Sequence, residues 1–190
     1  MIPLALDPDR TELALAGAGA PALRRLRALR RAGATRLAVY TPEAGALAAE
    51  AGNDLRPFLP SEAEIGRLHV LWIAGLSLEQ FVPLAEAARR ARVLVNVEDE
   101  PAYCDFHAMA ELRRGDLLLT VSTGGAAPGL AGAIRRNLER CFPAAWAERV
   151  AEIAALRRSW RAENLSLAEA ARRIDGIVEE RCWLSCPKPD

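Results

Sequence analysis

Three short stretches hold residues whose types and spacing can do chemistry. Asn96-Val97-Glu98-Asp99-Glu100 sets carboxylates directly behind an apolar run. Ligands of an open parallel sheet sit beyond the carboxyl ends of its strands, so a reactive group belongs at this position. Leu13-Ala-Leu-Ala-Gly17-Ala-Gly19-Ala20-Pro21-Ala22 has the order strand, tight turn, helix start. In that setting a G-x-G-x-x-A pattern holds a dinucleotide pyrophosphate on backbone N–H groups. Gly17 permits the turn, Gly19 admits the phosphates, Ala22 keeps the helix close, and Pro21 fits a first turn that needs no donor there. Ser122-Thr123-Gly124-Gly125-Ala126-Ala127-Pro128 joins a further apolar run to a helix. It offers two hydroxyls and backbone donors at a positive helix end, the makings of an anion pocket.

The elements that must position these residues are visible in the spacing. Five apolar runs, Leu13–Ala16, Leu37–Tyr40, Val70–Ala74, Val93–Val97 and Leu117–Val121, alternate with helix-like segments. Those helices are predicted over Ala22–Ala32, Glu43–Ala51, Leu78–Arg90, Tyr103–Leu112 and Gly129–Arg140. Short strands apolar on both faces and separated by helices predict an α/β fold, a Rossmann-like doubly wound parallel sheet. From Phe142 the pattern becomes helical, with Trp146, Val150, Ile153 and Leu156 on one stripe; Ser166 and Glu169 make a capping box for a further helix. The expected organisation is a dinucleotide-binding domain over residues 1–115, a strand-loop-helix segment over 116–142 and a helical C-terminal domain over 143–190.

Bulk properties narrow the function. The 25 basic and 25 acidic residues cancel, so no global field draws nucleic acid or an anionic membrane, and an anion site must be local. The five arginines of Ala22–Ala32 read as a solvated face behind Leu23, Leu26 and Leu29. No segment approaches the roughly 20 apolar residues that span a bilayer, and the start carries no signal-peptide pattern, so a cytoplasmic location is expected. The cysteines at 104, 141, 182 and 186 lack paired zinc-ligand spacing and read as buried or incidental thiols, with no metal site expected. His69 reads as structural. His107 stands on the predicted helix after Phe106 as a weak candidate base.

Asn96-Val97 followed by Asp99, then Cys104-Asp105-Phe106, Arg114-Gly115 and Ser122–Pro128, resemble the core of the precorrin-2 dehydrogenase/sirohydrochlorin ferrochelatase family. With the N-terminal glycine loop the resemblance covers residues 3 to 142. It implies NAD as cofactor, a tetrapyrrole substrate, precorrin-2 oxidation in siroheme biosynthesis with iron insertion as a second activity, a homodimer, and a stand-alone form without a methyltransferase domain. It places the proton acceptor on Asp99. Cofactor contacts then fall on Gly17, Gly19, Ala20, Pro21, Thr41, Ala74 and Gly75, and tetrapyrrole contacts on Ser122, Thr123, Gly124 and Gly125, with Arg135 and Arg136 behind them. The sequence departs from the family pattern twice. Tyr40-Thr41-Pro42-Glu43 has no acid at the strand end for the ribose hydroxyls, leaving Glu43 as a substitute. Ile73-Ala74-Gly75-Leu76-Ser77 replaces a Thr-Asp pair. These departures motivate a second reading, a non-catalytic tetrapyrrole carrier on the same fold.

Overall fold

The computed structural model describes residues 2–43 and 45–185; Cys186, Pro187 and Pro189 lie outside them. The chain divides into two compact units, Met1–His107 and Ala108–Asp190. The boundary thus falls ahead of the expected break after residue 115.

In the first unit, strands β1 (Leu13–Gly17), β2 (Leu37–Tyr40), β3 (Leu55–Arg56), β4 (Val70–Ala74) and β5 (Leu94–Val97) form one parallel sheet in the order β3-β2-β1-β4-β5. The strand order reverses beside β1, so the carboxyl ends of β1 and β4 flank the crevice of a doubly wound sheet. Four helices cover it: α1 (Gly19–Arg31), α2 (Ala46–Ala51), α3 (Glu62–Ile65) and α4 (Leu78–Arg90).

Period-two alternation decides which side chain meets which helix. Leu13 and Leu15 of β1 and Val70 and Ala74 of β4 pack with Leu26 and Leu29 of α1 and Leu47 of α2. Ala14, Ala16, Leu71 and Ile73 turn to the opposite face, against Ile65 of α3 and Phe81, Leu84 and Ala88 of α4. Strand β3 is only two residues long and carried no apolar run to announce it.

In the second unit β6 (Ala110–Arg114) and β7 (Leu117–Val121) make an antiparallel hairpin, followed by helices α5 (Pro128–Cys141), α6 (Trp146–Ala162) and α7 (Leu167–Glu180). The predicted capping box forms, with the Ser166 hydroxyl accepting from the Glu169 N–H at 3.2 Å. Two expectations are corrected here. Leu117–Val121 is a hairpin strand rather than a fifth strand of the parallel sheet. The helix predicted over Tyr103–Leu112 is absent: a 3₁₀ turn covers Pro101–Tyr103, and β6 occupies the rest of the run after an irregular stretch that contains an exposed His107. The reason is the two-residue connection Gly115-Asp116. Gly115 takes φ +56, a conformation that closes a tight hairpin and converts the preceding helix-favouring residues into a strand.

Leu26 is fully buried between α1 and the sheet. Leu26→Ala is expected to cost about 2–5 kcal/mol, read as a lowered urea midpoint with an unchanged slope.

Candidate functional site

The site is built from three strand ends of the first unit. The turn after β1 contains Gly17 and Gly19, and the two glycines do different work. A Cβ on Gly17 would stand 2.3 Å from the Ala74 carbonyl oxygen and 2.7 Å from the Ala22 Cβ, so Gly17 lets β1, β4 and α1 approach one another. The left-handed residue is Gly19, at φ +62, where an added Cβ would meet nothing nearer than the Pro21 ring at 3.8 Å. Turn permission therefore belongs to Gly19, and Gly17 serves close packing instead.

Helix α1 begins without a side-chain cap and without an acidic residue in its first turn. Gly19 and Ala20 are exposed there, and their N–H groups precede the first donor that can bond within the helix. An uncapped, solvent-facing positive helix end behind a glycine turn fits a dinucleotide pyrophosphate.

After β4, Gly75 takes φ +70, and a Cβ on it would lie 2.2 Å from the Ala18 carbonyl oxygen. The Ala18 N–H donates to the Ala74 carbonyl at 3.0 Å. The turns after β1 and β4 are thus in backbone contact, at a place where the smallest residues are required.

After β5, the Glu100 N–H donates to the Val97 carbonyl at 3.1 Å, closing a four-residue turn whose third residue, Asp99, has φ +67. Aspartate is among the side chains that tolerate this region. The turn is held from behind. The Glu98 N–H donates to the Ile73 carbonyl at 2.9 Å, and the Cys104 thiol lies 3.1 Å from the Val97 carbonyl, 3.4 Å from that of Glu100 and 3.3 Å from the Val97 N–H. Burial pushes the Cys104 thiol above its ordinary range, which keeps it protonated as a donor. Asn96, 5% exposed, donates to the Phe106 carbonyl at 2.7 Å, and the Asp105 carboxylate accepts the Val95 N–H at 3.0 Å. Cys104-Asp105-Phe106 therefore lines the free edge of β5. The sequence supplied this motif without its role.

These ends enclose a pocket of about 150 Å³, lined by Pro21, Ile73, Ala74, Gly75, Leu76, Phe81, Val97, Glu98, Asp99 and Glu100. It brings Pro21, Ala74 and Gly75 together with Asp99. Leu76 and Phe81 add an apolar wall that the motifs did not announce. Thr41 stands apart: it is 1% exposed, and its hydroxyl accepts the Glu43 N–H at 3.3 Å.

The hydroxyl loop belongs to the second unit. Its Ser122 hydroxyl accepts the Gly124 N–H at 3.2 Å and its Thr123 hydroxyl the Ala127 N–H at 3.1 Å, so those two backbone donors are spent within the loop. Gly124 and Gly125 adopt φ +68 and +84. Arg135 is paired with Glu139 on its own helix. Among the described residues, no group of three or more His, Cys, Asp and Glu side chains is placed to hold a metal ion, and no helix is long and apolar enough to cross a membrane.

A sequence model of the family described as "Putative NAD(P)-binding" matches residues 4–110. The chain belongs to this NAD(P)-binding family. It is 34% identical over 162 residues to the siroheme synthase of Nitrosomonas europaea, covering 81% of this chain and 33% of that protein. It is 39% identical over 139 residues to the siroheme synthase of Pseudomonas entomophila, covering 70% and 29%. The chain spans about a third of the length of the curated relatives it matches. A solved structure titled "SirC, precorrin-2 dehydrogenase" superposes with a TM-score of 0.72 over 97% of this chain and 93% of that one, and at 21% identity the likeness is one of fold. The family match covers the glycine turn, both flanking strands and the Asp99 turn, so the residues that line the pocket fall inside it.

The contacts of the two left-handed glycines make distinct predictions. Gly19→Ala is expected to cost about 1–2 kcal/mol through backbone conformation alone. Gly75→Ala adds a collision with the Ala18 carbonyl and is expected to lower the urea midpoint further than Gly19→Ala. The half-buried Cys104 thiol is expected to react with iodoacetamide at pH 8 at least about tenfold more slowly than the exposed Cys182, read by peptide mass spectrometry.

Proposed function

We propose that this chain oxidises precorrin-2 to sirohydrochlorin, with NAD as hydride acceptor and Asp99 as proton acceptor. The observation that carries the reading is the pocket in which Pro21, just after the glycine turn, and Ala74 and Gly75 at the end of β4 share walls with Asp99. Family membership and the likeness to siroheme synthases support it.

The reaction removes a hydride and a proton from the macrocycle and leaves its conjugated system with one more double bond. Bound NAD supplies the hydride acceptor. This chain's own residues supply binding and proton transfer. The N–H groups of Gly19 and Ala20 hold the pyrophosphate at the positive end of α1. Leu76 and Phe81 keep water from one wall of the pocket. The Asp99 carboxylate takes the proton, and its exposure lets it return that proton to solvent. At about 150 Å³ the pocket suits one ring of a cofactor or the reacting edge of a substrate rather than either molecule whole.

Glu43, exposed after β2, is the acid proposed to read the ribose hydroxyls of NAD, with Thr41 shaping that turn from beneath. The loop Ser122-Thr123-Gly124-Gly125 is proposed to bind carboxylates of the tetrapyrrole through its hydroxyl protons. A homodimer is proposed through the exposed Leu118, Leu130 and Ile134 of the second unit.

Purified protein mixed with precorrin-2 and NAD⁺ is expected to produce sirohydrochlorin absorbance together with stoichiometric NADH. Tetrapyrrole binding without either product would leave the carrier reading in its place. Asp99→Asn is the informative variant, because Asn tolerates the left-handed backbone of this position while Ala is strained there. It is expected to lower kcat at least about 100-fold with NAD⁺ affinity unchanged. Turnover within threefold of wild type would remove Asp99 from the mechanism.

A further inference from the structure

Glu98, one residue before Asp99, lines the same pocket, and its carboxylate does not face solvent freely. It lies 3.3 Å from the Arg25 guanidinium and 3.9 Å from that of Arg24, with the side chains of Glu98 and Arg25 19% and 17% exposed. Arg25 is fixed from its other side too: its Cζ sits 4.5 Å over the ring of Trp72, which meets Phe106 edge-on at 4.7 Å. The Arg25 Nε is buried without a hydrogen-bond partner, so this guanidinium is committed to Glu98 and to the aromatic face. Arg25 stands six residues, about 9 Å, along α1 from Gly19.

The Glu98 side chain, held closely by Arg25 and more loosely by Arg24, therefore links the helix whose first turn is proposed to take the pyrophosphate to the turn that carries the proposed proton acceptor. We infer that Arg25 is a positioning residue: through Glu98 and Trp72 it fixes the Asp99 turn relative to the cofactor helix. The inference rests on the function proposed above. Backbone bonds set the local shape of the turn, but each of them anchors it to β4, β5 or its own chain. The Glu98 side chain is what reaches α1. Pairing Glu98 with Arg25 also compensates one of the three acids of the turn, Glu98, Asp99 and Glu100, and so lessens the negative charge beside Asp99. Misplacing a reacting group by about 1 Å can cost on the order of 100-fold in rate, so a modest loosening of this tie is readable.

The test uses the full chain with Arg25→Met, Glu98→Gln, the double variant and Arg25→Lys. Each single neutral variant is expected to lower kcat about tenfold while the Kd for NAD⁺ stays within twofold of wild type. The double variant is expected to be no worse than either single one, because both remove the same contact. Arg25→Lys, which keeps the charge but loses the planar stack on Trp72, is expected to retain at least about a third of kcat. Amide exchange at Glu98 and Glu100 is expected to speed up about tenfold in Arg25→Met and Glu98→Gln. A weakened Kd for NAD⁺ with kcat intact would make Arg25 a cofactor ligand and overturn the inference. Multiplicative losses in the double variant, or unchanged amide exchange, would overturn it as well. If wild-type protein does not oxidise precorrin-2, the functional reading falls while the exchange measurement still decides whether the tie exists.

Discussion

The first unit depends on a backbone contact that leaves no room for a side chain. The Ala74 carbonyl stands where a Gly17 Cβ would be, and the Ala18 carbonyl stands where a Gly75 Cβ would be. Each turn thus supplies the wall against which the other is shaped, and the Ala18 N–H closes the contact by bonding to Ala74. Because β1 and β4 are neighbours at the reversal of strand order, this contact lies where a doubly wound sheet opens its crevice. A larger residue at either position would push the turns apart, and with them Pro21, Ala74 and Gly75, which line the pocket.

The turn Ala74-Gly75-Leu76, where the sequence lacks the expected Thr-Asp pair, has a physical reason in the same contact. At φ +70 and a virtual 2.2 Å from a carbonyl oxygen, position 75 excludes any branched or charged side chain. The two turns lie close together there, and Leu76 supplies apolar surface to the pocket. Polar function is then concentrated on the third wall, the turn from Glu98 to Glu100. This concentration explains why that turn has so many supports. A left-handed aspartate at an edge strand has few neighbours to fix it. Cys104, Asp105 and Phe106 replace the strand that β5 lacks on its outer side, the Glu98 N–H ties the turn to β4, and the Arg25 guanidinium ties it to α1.

Much of this was legible from residue types and spacing. The runs Leu37–Tyr40 and Val70–Ala74, and the helix Leu78–Arg90, have the bounds expected of them, because strands buried on both faces read as continuous apolar runs and α4 is bracketed by Ser77 and two arginines. The hairpin of the second unit was not read, although Gly115-Asp116 is a hairpin signal. The residues before it, Ala108-Met-Ala-Glu-Leu-Arg-Arg, are strong helix formers, and local propensity hid a strand that tertiary pairing enforces. Strand β3 is two residues long and carries no periodicity at all. The role of Cys104 was invisible for another reason: a side chain that bonds backbone groups several residues earlier leaves no pattern in the chain.

The Glu98–Arg25 contact shows where such reading stops. Both residues were visible, one as part of an acidic run and the other as one of five arginines on a helix read as a solvated basic face. Most of that face is indeed exposed or engaged with nearby acids: Arg27 holds Glu50 and Arg30 holds Asp54. Arg25 differs because its position on α1 turns it toward β4, where Trp72 interrupts an otherwise aliphatic strand and offers an aromatic face. Trp72 is half-buried, met edge-on by Phe106 and covered on its face by the Arg25 guanidinium. The guanidinium is a flat group, and at 17% side-chain exposure its charge is met by a carboxylate. Glu98 is the acid at the adjacent strand end. Trp72, Arg25 and Glu98 thus form a continuous chain of contacts from the sheet to the turn bearing Asp99, an aromatic face stacked by a guanidinium whose charge a carboxylate meets.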